Sequence, residues 1–135
     1  MSKPVLLLIG GHEMHYYATQ LKEDFGPRFD VLELKARQAF DFVTQSGALV
    51  ACVITPLYHS ILSGMNVKET DNGINAGVVA LNRVKHYCPQ AKLFLMDGGQ
   101  QNLLKEDGQV IFLDNLARCL PSNLSELLGP YLKSH

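Results

Sequence analysis

The chain has 135 residues, 47% of them hydrophobic and 19% charged, the size and mix of one globular domain over residues 1–135. A formal charge of −1 and an isoelectric point near 6.5 give no basic footprint, so neither nucleic acid nor an anionic membrane is an expected partner. Cys52, Cys88 and Cys119 are odd in number and lack C-x-x-C spacing, which argues against a disulfide framework or a zinc site and for a reducing, cytoplasmic setting.

Val5 to Ile9 is an unbroken apolar run, too short for a signal-peptide core or a membrane span, and reads as a strand buried on both faces. It halts at Gly10-Gly11. His15 to Phe25 then sets Tyr17, Leu21 and Phe25 on one helical side, and Gly26-Pro27 supplies a C′ glycine and a stop. A second unit follows: a strand over Val31 to Leu34, then Ala36, Ala39, Phe40 and Val43 at helical spacing, closed by Gly47 as another C′ glycine. Leu49 to Ile54 is a third apolar strand, ending at Thr55-Pro56 because proline cannot continue a central ladder.

From Pro56 to Asn75 there is no clear periodicity, and a stretch that long inside a compact domain is a binding loop or lid, or simply mobile. A third helix is expected over Ala76 to Tyr87, stopped by Cys88-Pro89. Short strands follow at Leu93 to Met96 and Val110 to Leu113, with a weak polar helix over Gln100 to Glu106 between them. Asn123-x-x-Glu126 has the form of a capping box opening a last helix, whose apolar side is Leu124, Leu127, Leu128, Tyr131 and Leu132. Strands alternating with helices predict an α/β fold: a flavodoxin-like, five-stranded parallel sheet of order 2-1-3-4-5 with helices on both faces.

The order and spacing of "FDVLELKARQAFDFVTQSGALVACVIT", with "VLLLIGG" as the first strand, resemble bacterial response-regulator receiver (CheY-like) domains over nearly the whole chain. The resemblance implies an acidic pair for magnesium after the first strand, a phosphoacceptor aspartate after the third, a hydroxyl residue after the fourth and a lysine after the fifth. Here those positions fall on Gly10 and Gly11, on Thr55, near Met96 or Asp97, and near Asp114 or Asn115. Glycine has no side chain with which to hold a cation, and threonine cannot form an aspartyl phosphate. The expectation is a pseudo-receiver, degenerate at the phosphorylation site, with no catalytic residue, no metal and no cofactor.

In a doubly wound sheet ligands bind where the strand C-termini converge. The candidate ligand-binding residues at that edge are Gly10, Gly11, His12, Glu13, Thr55, His59, Asp97 and Asp114, with Lys35 beside them. Gly10-Gly11 reads either as a tight turn or as a close approach to an anion. His12 and His15, three apart, could share one side as metal ligands, but no third ligand has telling spacing, and His12 and Glu13 read rather as the first turn of the helix, where the dipole favours a carboxylate. Glu13, Asp97 and Asp114 could meet as acids across the edge. "TDNGINAG" resembles the D-x-G-T-x-x-E-x-G segment of nucleoside deoxyribosyltransferase-like proteins without its catalytic glutamate; otherwise Asp71-Asn72-Gly73 makes an Asx turn. His59 and Ser60 show no nucleophile elbow. Tyr16, Tyr17, Phe40 and Phe42 read as core or interface.

Two functions are consistent with this pattern. One is a phosphorylation-independent receiver-like signalling or protein-interaction module with a protein partner, a homodimer being compatible with the resemblance. The other is a small nucleotide- or sugar-phosphate-binding α/β enzyme with its site at the strand ends.

Overall fold

An apolar strand without alternation has to be covered on both sides, and the computed structural model shows how this chain does so. The described residues are 3–11, 14–56, 68, 76–96, 110–113 and 121–132, with backbone alone for 110–113 and 121–123. They form β1 (Val5–Ile9), α1 (His15–Phe25), β2 (Asp30–Leu34), α2 (Ala36–Ser46), a 3-10 turn (Gly47–Leu49), β3 (Val50–Pro56), α3 (Ala76–Val84), β4 (Lys92–Met96), β5 (Val110–Leu113) and α4 (Pro121–Leu132). All strand pairs are parallel, in the order β2-β1-β3-β4-β5.

Successive strand residues feed two separate cores. Val5, Leu7, Ile9, Val53, Leu93 and Leu95 pack with α2 and α3, while Leu6, Leu8, Cys52, Ile54, Phe94 and Met96 pack with α1 and α4. Each such side chain contributes about 1.5–3 kcal/mol by leaving water, which is why both sides of a central strand must be apolar. The alternation slips once. Val5 pairs with Val50 but Leu6 with Cys52, so Ala51 is an extra residue on β3. Ala51 and Cys52 consequently share one core although they are neighbours in sequence.

Several boundaries differ from the sequence reading. β3 runs Val50–Pro56 rather than Leu49 to Ile54: Leu49 belongs to the 3-10 turn, and Pro56 is tolerated because it is the last residue of its strand, opposite Met96. α3 stops at Val84, not Tyr87, as the amides of both Tyr87 and Cys88 turn back to the Val84 carbonyl. Gly26 and Gly47 do not take the left-handed C′ conformation; their φ values are −53° and −57°. Gly47 is needed for closeness instead, since a Cβ there would overlap the Tyr87 carbonyl. The Gln90 amide locks this crossing by donating to the carbonyls of Gly47 and Val50, each at 3.0 Å. Finally, α4 begins at Pro121, so Asn123 lies inside the helix and not at its N-cap; a proline at the first helical position is already set to the helical φ. The segments expected as a loop (Pro56 to Asn75) and as a polar helix (Gln100 to Glu106) fall almost wholly outside the described residues. Among the described residues no helix is long and apolar enough to cross a membrane.

Candidate functional site

β1 and β3 are neighbours at the centre of the sheet, so the residues that end them stand side by side. Gly10 continues the ladder by donating its N–H to the Leu34 carbonyl at 3.1 Å, and it is buried. Space explains the glycine: a Cβ at this position would lie 2.7 Å from Met14 Cγ and 3.2 Å from Pro56 Cδ. Met14, wholly buried at the head of α1, thus occupies the room that an acidic side chain at position 10 would need. Thr55 is also fully buried, and its hydroxyl donates to the Ile9 carbonyl at 2.8 Å. Its chemistry is that of a tie between two strand ends. Gly11 is half-buried, and its carbonyl accepts the Met14 N–H at 3.1 Å where the chain passes from β1 into α1.

Polar chemistry gathers one strand further out. Glu33 sits next to last in β2, in register with Leu8, and its Oε1 lies 3.1 Å from His15 Nδ1 at the start of α1. A carboxylate accepts, so the ring proton is on Nδ1. Glu33 Oε2 is buried and has no hydrogen-bond partner among the described residues. The Glu33 side chain is 28% exposed, His15 is 60% exposed, and the neighbouring Tyr16 ring is 67% exposed, edge-on to the imidazole. Lys35, also exposed, serves as N-cap residue of α2, where its own N–H is received by Gln38 Oε1 at 3.1 Å.

Of the sequence-derived candidates, Gly10, Gly11 and Thr55 come together as expected from their strand ends. His12, Glu13, His59, Asp97 and Asp114 lie outside the described residues. His15 is engaged by Glu33, and among the described residues no three His, Cys, Asp or Glu side chains group as a metal site. Of the aromatic residues, Tyr17 is core, Phe40 and Phe42 pack against the α2–α3 core, and the Arg83 guanidinium stacks 4.9 Å from the Phe40 ring centroid. Cys52 is wholly buried, and desolvation raises its thiol pKa strongly. Met14 and Glu33 were missed from the sequence. The signals were a methionine four residues beyond a strand-end glycine and one acid inside the otherwise apolar end of "DVLEL".

No protein-family profile matches the chain, and no curated protein sequence does. Solved structures do. An adenylate cyclase from Rhodopirellula baltica superposes with a TM-score of 0.65 at 16% identity, covering 98% of this chain and 89% of that one. The signal receiver domain of an HD domain-containing protein from Pseudomonas fluorescens Pf-5 gives 0.63 at 16% identity, covering 98% and 96%. The signal receiver domain of a putative LuxO repressor protein from Vibrio parahaemolyticus gives 0.62 at 15%, covering 98% and 92%. Likeness at such identities speaks to architecture: the chain has the fold of signal receiver domains.

Proposed function

We propose that this protein is a receiver-like signalling or protein-interaction module that works without phosphorylation. One observation carries the reading: the seam where receivers are expected to hold a cation and accept a phosphoryl group is packed by Met14 against Gly10 and Pro56, with the Thr55 hydroxyl committed to the Ile9 carbonyl. No carboxylate stands at positions 10, 11 or 55, and divalent cations of this kind need one or two. Output then comes from protein contacts. The outer side of α4, where Leu127 and Tyr131 are 44% and 39% exposed, supports docking to a partner protein or a second copy. A cytoplasmic location fits the free, buried Cys52 and Cys88.

The test is direct. Beryllofluoride or acetyl phosphate with magnesium should leave the amide spectrum unchanged. A saturable shift, or an acyl phosphate on the protein, defeats the proposal.

A further inference from the structure

β2 is an edge of the sheet: it pairs with β1 on one side and, among the described residues, with no strand on the other. In a parallel ladder every second residue turns both its N–H and its C=O toward the same neighbour. The Asp30 N–H donates to the Pro4 carbonyl and the Leu34 carbonyl accepts from Gly10, so Asp30, Leu32 and Leu34 face β1 while Val31 and Glu33 present their backbone groups outward. The row stops at both ends. The Phe29 N–H is spent on the Phe25 carbonyl, and the Lys35 N–H on Gln38 Oε1. What remains is one donor and one acceptor on each of Val31 and Glu33.

Such a window is complementary to itself. Antiparallel pairing of two copies about an axis at Leu32 sets Val31 of each opposite Glu33 of the other, and a hydrogen-bonded pair of that kind exchanges both bonds. No like charges stand directly opposite in this register: Asp30 faces Leu34, Glu33 faces Val31, and Leu32 meets its own copy. The exposed Asp30 of each copy comes one residue from the exposed Lys35 of the other. The two Glu33 carboxylates fall on a diagonal, each drawn to its own His15. Neither a proline nor a bulge guards this edge, and Leu32 and Leu34 remain half-buried until something covers them.

We propose that β2 is a docking edge for a second copy of this chain, which joins antiparallel across Leu32 to carry one sheet through both copies. The surface is separate from the outer side of α4 and does not depend on the phosphorylation-independent reading.

Analytical ultracentrifugation and cysteine cross-linking of the whole protein test it. The expected result is a reversible dimer whose fraction grows with concentration, and its loss in L32K, which sets two lysines face to face on the axis. In a C119S background, L32C should form an intermolecular disulfide quickly, because Cα atoms paired across such an axis lie about 4.5 Å apart, within disulfide reach. Q45C, on the exposed side of α2, should not. A dimer that L32K leaves intact, or L32C linking no faster than Q45C, overturns the proposal. So does a monomer at every concentration up to the millimolar range, which would leave the edge to an extended segment of another protein. If L32K fails to fold, D30K at an exposed position should loosen the dimer and added K35D should restore it; a D30K dimer as tight as the wild type overturns the proposal.

Discussion

The two seams at the C-terminal edge of the sheet are built on opposite plans. Between β1 and β3 the described strand ends are packed and tied: Gly10 lies under Met14 and Pro56, and Thr55 donates to the Ile9 carbonyl. Between β1 and β2 a carboxylate is half satisfied, an imidazole is mostly exposed, and a tyrosine ring stands in solvent. Among the described residues, then, the two central strand ends are joined by ordinary core packing while polar chemistry stands one strand away. If the closed seam is a packing feature, disturbing it should cost stability. If the open flank is a docking edge, disturbing it should cost association.

The largest effect is expected at position 10. Gly10→Asp introduces the acid that the receiver resemblance implies, but it drives a carboxyl group into Met14, with no partner for it among the described residues, and should destabilise by about 3 kcal/mol or more in urea unfolding. Met14→Ala alone should cost about 2–4 kcal/mol through the cavity it leaves. Combined, the two should fall short of their sum by about 1 kcal/mol or more, because the alanine vacates the space that the aspartate needs. Strict additivity would mean that Met14 is not what keeps an acid out.

The interior of the domain should be closed to reagents as well. Cys88 is shielded from solvent although it lies close to the surface, and desolvation pushes its thiol pKa from 9.0 up to about 11. In a C119S variant at pH 8, its thiolate fraction and its alkylation rate should be about a hundredfold below those of the unfolded chain, with Cys52 slower still. Alkylation at the unfolded rate would show that the core opens.

A smaller change probes the strand tie. Thr55→Val keeps the shape, removes the hydroxyl that donates to the Ile9 carbonyl, and should cost about 1–2 kcal/mol in the same unfolding assay. A neutral outcome would free Thr55 for a role other than joining β1 to β3.

The sequence carried the closed seam and hid the open one, for physical reasons. Val5–Ile9 and His15–Phe25 lie where the apolar run and the Tyr17, Leu21, Phe25 spacing put them, because burial on two faces or on one stripe leaves a periodic trace. That positions 10, 11 and 55 carry no acid is likewise a matter of residue identity. What fills the freed space is not: Met14 reaches Gly10 only once α1 turns back over the sheet. Glu33 and His15 are 18 residues apart and meet through the parallel pairing of β1 with β2. α4 starts at Pro121 and not after Asn123, and the fixed φ of proline suits that first helical position.

The smallest expected effect lies on the α1–α4 side of the sheet, away from both seams, and serves as their control. The Asp24 carboxyl is held below the usual carboxylate value of 3.8, first by the Ser125 hydroxyl of α4 and second by the Gln20 amide at 2.9 Å. Among the described residues Ser125 Oγ makes no well-formed hydrogen bond, so the Gln20 bond is the better defined of the two. A lowered value means that the folded state favours the ionised acid. Its contribution is therefore present above the unfolded value near 3.8 and fades as pH falls through the lower folded value. Asp24 is solvent-exposed, so Asp24→Asn should remove only a slight acid-side slope from a melting-temperature profile between pH 2 and pH 5, and leave the neutral plateau in place. A drop across the whole pH range would instead make the α1–α4 contact as structurally committed as the β1–β3 seam.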